Sequence, residues 1–222
     1  MTRARLPILS STITRRWLLG IGGTLFCLLV GGALQADDDD DVRIRWDIVS
    51  IDFGTGTASE GGIASARANP NATTNVSRIT LTGSGTFPAR GGPSNDVTGG
   101  GTWETQNQAG VTTGSGKYKV TGLVRWDLAP GTFPLPNDNI GEPEDARPGL
   151  AVLRITYSDR SRGILVVSCH FVGTPDSVFE GITASKGFVD YFNPEPPPAP
   201  PGDANRTAFH VVHDDDDDDD DN

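Results

Sequence analysis

Alternation of apolar and polar residues is the dominant pattern along the chain, and it predicts β-strands throughout. The clearest case is residues 117–128, where Tyr118, Val120, Gly122, Val124, Trp126 and Leu128 occupy every second position. A period of two over twelve residues fits a strand, because a helix repeats every 3.6 residues. No segment has the pattern of a long amphipathic helix, so the sequence predicts an all-β fold.

The first predicted strand, residues 42–53, changes its apolar phase partway along. Ile44, Trp46 and Ile48 alternate with polar residues, and then Val49 and Ile51 continue on the other phase. Such a slip predicts a bulge or a bend after Ile48. Further strands are predicted at residues 76–87, 97–104, 150–157, 163–172, 178–183 and 188–192.

A hairpin is predicted around residues 158–162. If Tyr157 pairs with Gly163, then Ala151, Leu153 and Ile155 face Cys169, Val167 and Leu165, and this face is wholly apolar. The other face carries Arg154, Thr156, Ser168 and His170 among valines and Ile164. Both faces are therefore expected to be partly covered, as in a barrel or a sandwich.

A glycine phrase, T-G-x-G-[T/K]-aromatic, begins at Thr82, Thr98 and Thr113. Its spacing is typical of one strand plus one bend in an antiparallel sheet. The predicted fold is a single antiparallel β-barrel or barrel-like sandwich of about seven to nine strands over residues 42–193. Its architecture resembles that of ligand-binding barrels of the calycin kind, although no motif of that group is present.

Residues 1–36 have the composition of an export signal. The stretch Thr14-Arg15-Arg16-Trp17-Leu18-Leu19 resembles the twin-arginine motif, an apolar stretch covers residues 18–34, and Leu34-Gln35-Ala36 is a tolerable cleavage site. We therefore expect an exported protein, periplasmic or extracellular, with no membrane association after cleavage. An uncleaved anchor is the alternative, since about 17 apolar residues are near the short limit for a span.

Acidic runs flank the domain and account for most of the formal net charge of −11. Residues 37–41 are predicted to be an acidic linker, and residues 194–222 a Pro-rich spacer followed by a disordered acidic tail. Residues 209–212 have the alternative of docking back as a short strand. The remainder of the domain is nearly neutral, which argues against a nucleic-acid partner.

Two kinds of ligand site are predicted. Trp103, Tyr118 and Trp126 are candidates for lining a pocket for a small apolar ligand, with Arg154 or His170 orienting its polar end and the proline-rich residues 129–149 as a covering loop. His210, His213 and Asp214 are candidate ligands for a divalent cation, and the Asp tail for weak Ca²⁺ binding. No other cofactor is expected.

The sequence leaves three functions open. The first is an exported, non-enzymatic module that binds a small apolar molecule or an envelope protein partner. The second is a barrel enzyme of the cyclase or isomerase type, with His170 as acid or base and Glu104, Glu180 or Asp127 as its partner. The third is a structural surface protein tethered by a calcium-binding Asp tail. No G-x-S-x-G or C-x-x-C motif is present, and only one histidine lies within residues 42–193, which favours the first.

Overall fold

The computed structural model describes residues 42–68 and 77–213, and in this part of the chain it is all-β. A single 3-10 turn at Pro143–Asp145 is its only helical element, and none of the described helices could cross a membrane. The predicted leader, the acidic linker and the Asp tail lie outside the described residues. The strands are β1 (Val42–Asp52), β2 (Thr57–Ser59), β3 (Ala64–Arg67), β4 (Arg78–Leu81), β5 (Ser84–Pro88), β6 (Gly100–Gln106), β7 (Thr112–Leu128), β8 (Asn137–Asp138), β9 (Ala146–Arg147), β10 (Gly149–Tyr157), β11 (Arg162–Cys169), β12 (Gly181–Lys186), β13 (Val189–Tyr191), β14 (Asn193–Pro194) and β15 (Arg206–His213).

The strands form one large, open, mixed sheet. Its main path runs β13-β12-β11-β10-β7-β6-β5-β1-β15-β9, with the short strands β2, β3, β4, β8 and β14 attached beside it. The predicted closed barrel is therefore wrong, as is the predicted count of seven to nine strands, since the described residues contain 15. The pairing is antiparallel except between β2 and β8.

The sheet branches where β4 passes into β5, which is one reason that it does not close as a simple barrel. Both strands lie along the same edge of β6, but β4 continues to β3 whereas β5 continues to β1. Gly83 makes the step with φ +143°, and a Cβ there would lie 2.4 Å from the carbonyl oxygen of Gly100. The glycine phrase thus permits close approach of neighbouring backbones, in addition to marking bends.

The main core lies within the curve of the sheet. Strand β15 contacts β11 and β12, which are remote from it along the sheet path, so the sheet curls around its own apolar face. The largest fully buried side chains include Trp46, Tyr157, Phe87 and Phe209. Strand β1 contributes Ile44, Trp46 and Ile48 to this core, as its first apolar phase predicts.

The β10–β11 hairpin exists, but its register differs from the predicted one by two residues. Ile155 pairs with Gly163, Leu153 with Leu165 and Ala151 with Val167. The difference arises because the turn is tighter than predicted: Tyr157 N–H donates to the Ser161 carbonyl, so the turn holds residues 158–160 and not 158–162. Because side chains alternate with a period of two, an even shift keeps every residue on its predicted face.

Strand β7 contains two irregularities that alter its predicted alternation. Its pairing with β10 skips Thr121 and Val124, so Gly122 lies against the Arg154 side chain and Leu123 is fully buried. An uninterrupted strand would have placed Gly122 and Val124 with the core. These bulges bend the longest strand in the middle of the sheet.

The last described strand extends the domain beyond the predicted boundary at residue 193. Strand β15 pairs with β1 without a register shift from Val42 opposite His213 to Val49 opposite Arg206. Phe209 and His210 are fully buried. Residues 206–213 therefore belong to the sheet, in agreement with the docked alternative and not with a solvated tail.

Candidate functional site

A second, smaller core explains the phase slip in β1. The predicted bulge or bend after Ile48 is absent, since β1 pairs with β15 without a register shift there. Val49 and Ile51 instead lie on the opposite face of β1, where they are buried together with Ala58 and Ala208. Phe53, Phe133, Leu135 and Ile140 pack on this cluster. The last three belong to residues 129–149, which we term the covering segment.

The covering segment is attached to the sheet along its length. Its strand β8 pairs with β2, and its strand β9 pairs with β15. Asp138 Oδ2 lies 2.8 Å from His210 Nε2, and neither side chain has exposed surface. The segment predicted as a loop is therefore an ordered cover over the outer face of β1 and β15.

A cavity of about 100 Å³ lies beneath this cover. Side chains from β1, the covering segment and the residues just after β11 form an apolar body, and one end of the cavity is polar. Residues that line it are Val49, Ile51, Phe53, Ala58, Phe133, Pro134, Leu135, Phe171 and Ala208, with His170, Glu180, Arg206 and Thr207 at the polar end. An apolar cavity of about 150 Å³ can hold a benzene ring, so this one has room for a slightly smaller group.

Glu180 joins two parts of the chain at the polar end of the cavity. Its Oε2 accepts a hydrogen bond from the His170 backbone N–H at 2.6 Å, and its Oε1 accepts one from the Thr207 N–H at 2.6 Å. The residue keeps some exposed surface, whereas its carboxyl group is enclosed by protein. Burial raises the pKa of Glu180 to about 7, although these hydrogen bonds and the nearby Arg206 charge lower it.

His170 has one ring nitrogen, Nε2, that is not used in the hydrogen bond to Val178. Its Nδ1 lies 2.7 Å from the carbonyl oxygen of Val178. Because a carbonyl oxygen only accepts, Nδ1 donates this bond, and Nε2 keeps its lone pair in the neutral ring. The ring can therefore accept a hydrogen bond or a proton through Nε2.

Arg206 completes the polar end of the cavity. One of its terminal nitrogens donates to the Pro198 carbonyl at 3.1 Å, and the guanidinium carbon lies 5.1 Å from the centre of the Phe53 ring. Its Nε is buried and has no hydrogen-bond partner among the described residues. A buried donor without a partner is costly, so a ligand or a water that accepted from it would stabilise the site.

The predicted aromatic residues lie elsewhere, in the main core. Trp103 and Tyr118 pack around Tyr157, with ring centres 5.6 and 6.3 Å away, and Trp126 lies 4.5 Å from Phe209. Their packing leaves all three nearly buried.

Arg154, a further predicted ligand residue, is on the outer face of β10. It donates to the Asn95 side chain at 2.9 Å. Of the five predicted ligand residues, His170 alone lines the cavity beneath the cover.

Of the three predicted partners of His170, only Glu180 lies close to it. Glu180 contacts the backbone of His170, as described above. Glu104 accepts a hydrogen bond from Gln106 on β6, and Asp127 forms an ion pair with Arg125 at the end of β7. The structure thus brings together His170 and Glu180 only.

The predicted cation ligands are placed as follows. His210 is buried in β15 against Asp138, and its Nδ1 has no hydrogen-bond partner in the described part of the chain. Asp214 and the side chain of His213 lie outside the described residues. Within residues 42–68 and 77–213, no group of three or more His, Cys, Asp or Glu side chains could hold a metal ion.

The apolar lining of the cavity and Arg206 were not identified from the sequence as site residues. The available signal was the phase slip of β1, because a strand that is apolar on both faces needs cover on both faces. Arg206 carried no comparable signal, since it lies in a segment predicted to be a spacer.

Comparison of the chain with protein-family models, with curated proteins and with solved structures finds no match.

Proposed function

We propose that the domain is an exported, non-enzymatic binding module that holds a small apolar ligand beneath the covering segment. The observation that carries the proposal is the cavity with an apolar body and one polar end formed by His170, Glu180 and Arg206. A concave, mostly apolar site with a few convergent polar groups is the usual form of a small-molecule site.

The polar end favours a head group that both donates and accepts hydrogen bonds. His170 Nε2 accepts in the neutral ring, whereas the unpartnered Nε of Arg206 can only donate. Glu180 and Arg206 carry opposite charges when both are ionised, so a neutral head group such as an amide suits the site. The apolar body then takes a branched group somewhat smaller than benzene. An apolar side chain of an envelope partner is the other occupant of this kind.

The test uses the full-length chain and three probes, isobutyramide, isobutyrate and benzene. We expect isobutyramide to raise the thermal unfolding midpoint, because a ligand that binds only the folded state stabilises it. Ala58→Val fills the cavity and should abolish the rise, whereas Ala151→Val, a matched change in the main core, should keep it. If no probe raises the midpoint, or if Ala58→Val responds like the parent chain, the cavity is not a ligand site.

Acid–base catalysis at His170 is the second candidate. It is supported by the placement of His170 beside a carboxyl group whose pKa is raised to about 7. Both oxygens of Glu180 already accept backbone hydrogen bonds, so the mobile proton would belong to His170 Nε2 and Glu180 would position the backbone. This candidate requires His170→Ala to abolish turnover with the fold intact, and an unchanged rate on an identified substrate would exclude it.

A further inference from the structure

A groove that contains several hydroxyl and charged side chains runs over the outer face of β3, β4, β6 and β7, apart from the covered cavity. Its floor is a cross-strand row in which Ser65 pairs with Thr80, Thr80 with Glu104 and Glu104 with Ser115. Thr82 and Thr102 form a second row beside it, with their hydroxyl oxygens 2.7 Å apart. The groove has a volume of about 700 Å³, within the range of small-molecule sites.

The two ends of the proline-rich segment 195–205 form one wall of this groove, through Glu195, Ala204 and Asn205. Glu195 N–H donates to the Ser65 carbonyl at 2.9 Å, and Asn205 N–H donates to the Ile63 carbonyl at 2.7 Å. Asn205 is buried, and its side-chain oxygen also accepts from the Ser65 N–H. These bonds fix the wall against β3, so the groove is preformed.

The groove carries balanced charge and abundant hydroxyl groups. Arg78 and Lys117 line it together with Glu104 and Glu195, two cations with two carboxylates. Each hydroxyl has one donor and two acceptor sites, so the Ser65–Thr80 and Thr82–Thr102 pairs keep hydrogen-bonding capacity for a ligand. Threonine methyl groups and the half-exposed side chain of Ile63 add apolar surface between the polar atoms.

One buried donor in the groove lacks a partner. The Nε of Arg78 is buried and makes no hydrogen bond among the described residues, although the terminal nitrogens of Arg78 contact Gln106 and Glu195. This donor is therefore free to bond to a ligand in the groove.

An extended peptide cannot bind to this face as an added β-strand. Strands β3, β4, β6 and β7 each have hydrogen-bonded neighbours on both sides, so none offers a free edge to an extended peptide. A ligand on this face is read by side chains alone. Side-chain hydroxyls, carboxylates and guanidinium groups with no net charge suit a ligand that is neutral and carries many hydroxyl groups.

We propose that this groove binds a neutral oligosaccharide. The proposal is independent of the cavity beneath the covering segment, because the two sites share no lining residue. Sugar hydroxyls would bond to the side chains of the two rows and to Arg78, and sugar C–H groups would contact the threonine methyls.

The experiment titrates the full-length chain with maltohexaose, cellohexaose and chitohexaose up to about 10 mM, a range that detects weak affinities. The reporters are the backbone N–H resonances of the floor residues Thr80, Glu104 and Ser115, which lie beneath the face that a ligand would cover. We expect a saturable shift with at least one of the three sugars.

Two variants locate the binding. Ser115→Tyr obstructs the floor from an exposed position and should weaken binding at least tenfold, whereas Thr112→Tyr, exposed on the same strand outside the groove, should not change it. Glu104→Gln should weaken binding about tenfold, as expected for a hydrogen bond to a charged group. The absence of a shift with all three sugars, or equal binding by Ser115→Tyr, would overturn the proposal. Binding of an unmodified peptide in the groove, with no binding of the sugars, would also overturn it.

Discussion

Raising the pH through neutrality should destabilise the domain, because Glu180 titrates at a higher pH in the folded state than in the unfolded chain. Its ordinary pKa is 4.5, and burial raises it to about 7 in the fold. Below pH 4.5 the carboxyl group is protonated in both states, and its stabilising contribution is fully present. As the pH rises towards 7, the unfolded chain loses this proton first, so the equilibrium moves towards unfolding.

The magnitude follows from the two pKa values. Each unit of difference corresponds to about 1.4 kcal/mol, so the loss across this window is about 3 kcal/mol. That is a substantial part of the 5–15 kcal/mol typical of domain stability. Asp159, whose pKa Lys186 lowers to about 2, changes only below pH 4 and does not oppose the effect in this window. Asp47, whose pKa burial also raises, acts in the same direction as Glu180.

Urea unfolding of the chain and of Glu180→Gln at pH 4.5 and pH 8 isolates the Glu180 contribution. The variant lacks the titrating group, so its stability should fall by about 3 kcal/mol less across the window. Its absolute stability should be lower at both pH values, since an amide NH₂ would face one of the two backbone N–H donors. Asp176→Asn, an exposed change in the same loop, should keep the parent pH dependence. Equal losses for the parent and Glu180→Gln would show that Glu180 does not cause the pH dependence.

Three further changes test other parts of the structure. Gly83→Ala should cost at least about 2 kcal/mol in urea unfolding, because the new Cβ would meet the Gly100 carbonyl at a positive φ, whereas Gly92→Ala, with open space around it, should be nearly neutral. Asp138→Ala should cost about 2–3 kcal/mol, because it removes the partner of buried His210. Limited proteolysis should then cleave the covering segment faster than in the parent. Unchanged cleavage would show that the contact does not hold the segment. Phe188→Ser should change stability by less than about 0.5 kcal/mol in thermal unfolding, because the ring is fully exposed at the tip of the β12–β13 hairpin.

Local alternation predicted which face of most strands is buried, but it did not determine how the strands pair. The β10–β11 hairpin illustrates this, since its register moved by two residues while the buried face was unchanged. In β7, the bulges at Thr121 and Val124 arise from its pairing with β10. A single strand's pattern contains no record of a neighbour's register, so such irregularities could not be predicted from it.

The architecture and the cavity depended on contacts between distant segments. The sequence indicated sheet curvature through its glycine phrases, and closure into a barrel was the simplest geometry for that many strands. The branch at Gly83 and the docking of residues 206–213 required knowledge of which strands meet. The second apolar face of β1 was visible in Val49 and Ile51, but its cover is some eighty residues further along the chain.

The pairing of β1 with β15 raises the contact order of the fold. The first described strand finds one of its two main partners only in the last, from Val42 opposite His213 onward. Until residues 206–213 are in place, β1 has an open edge that exposes the backbone beside Ile44, Trp46 and Ile48. A sheet of this topology is expected to fold slowly, and a chain that stops before β15 presents an apolar edge strand that favours aggregation.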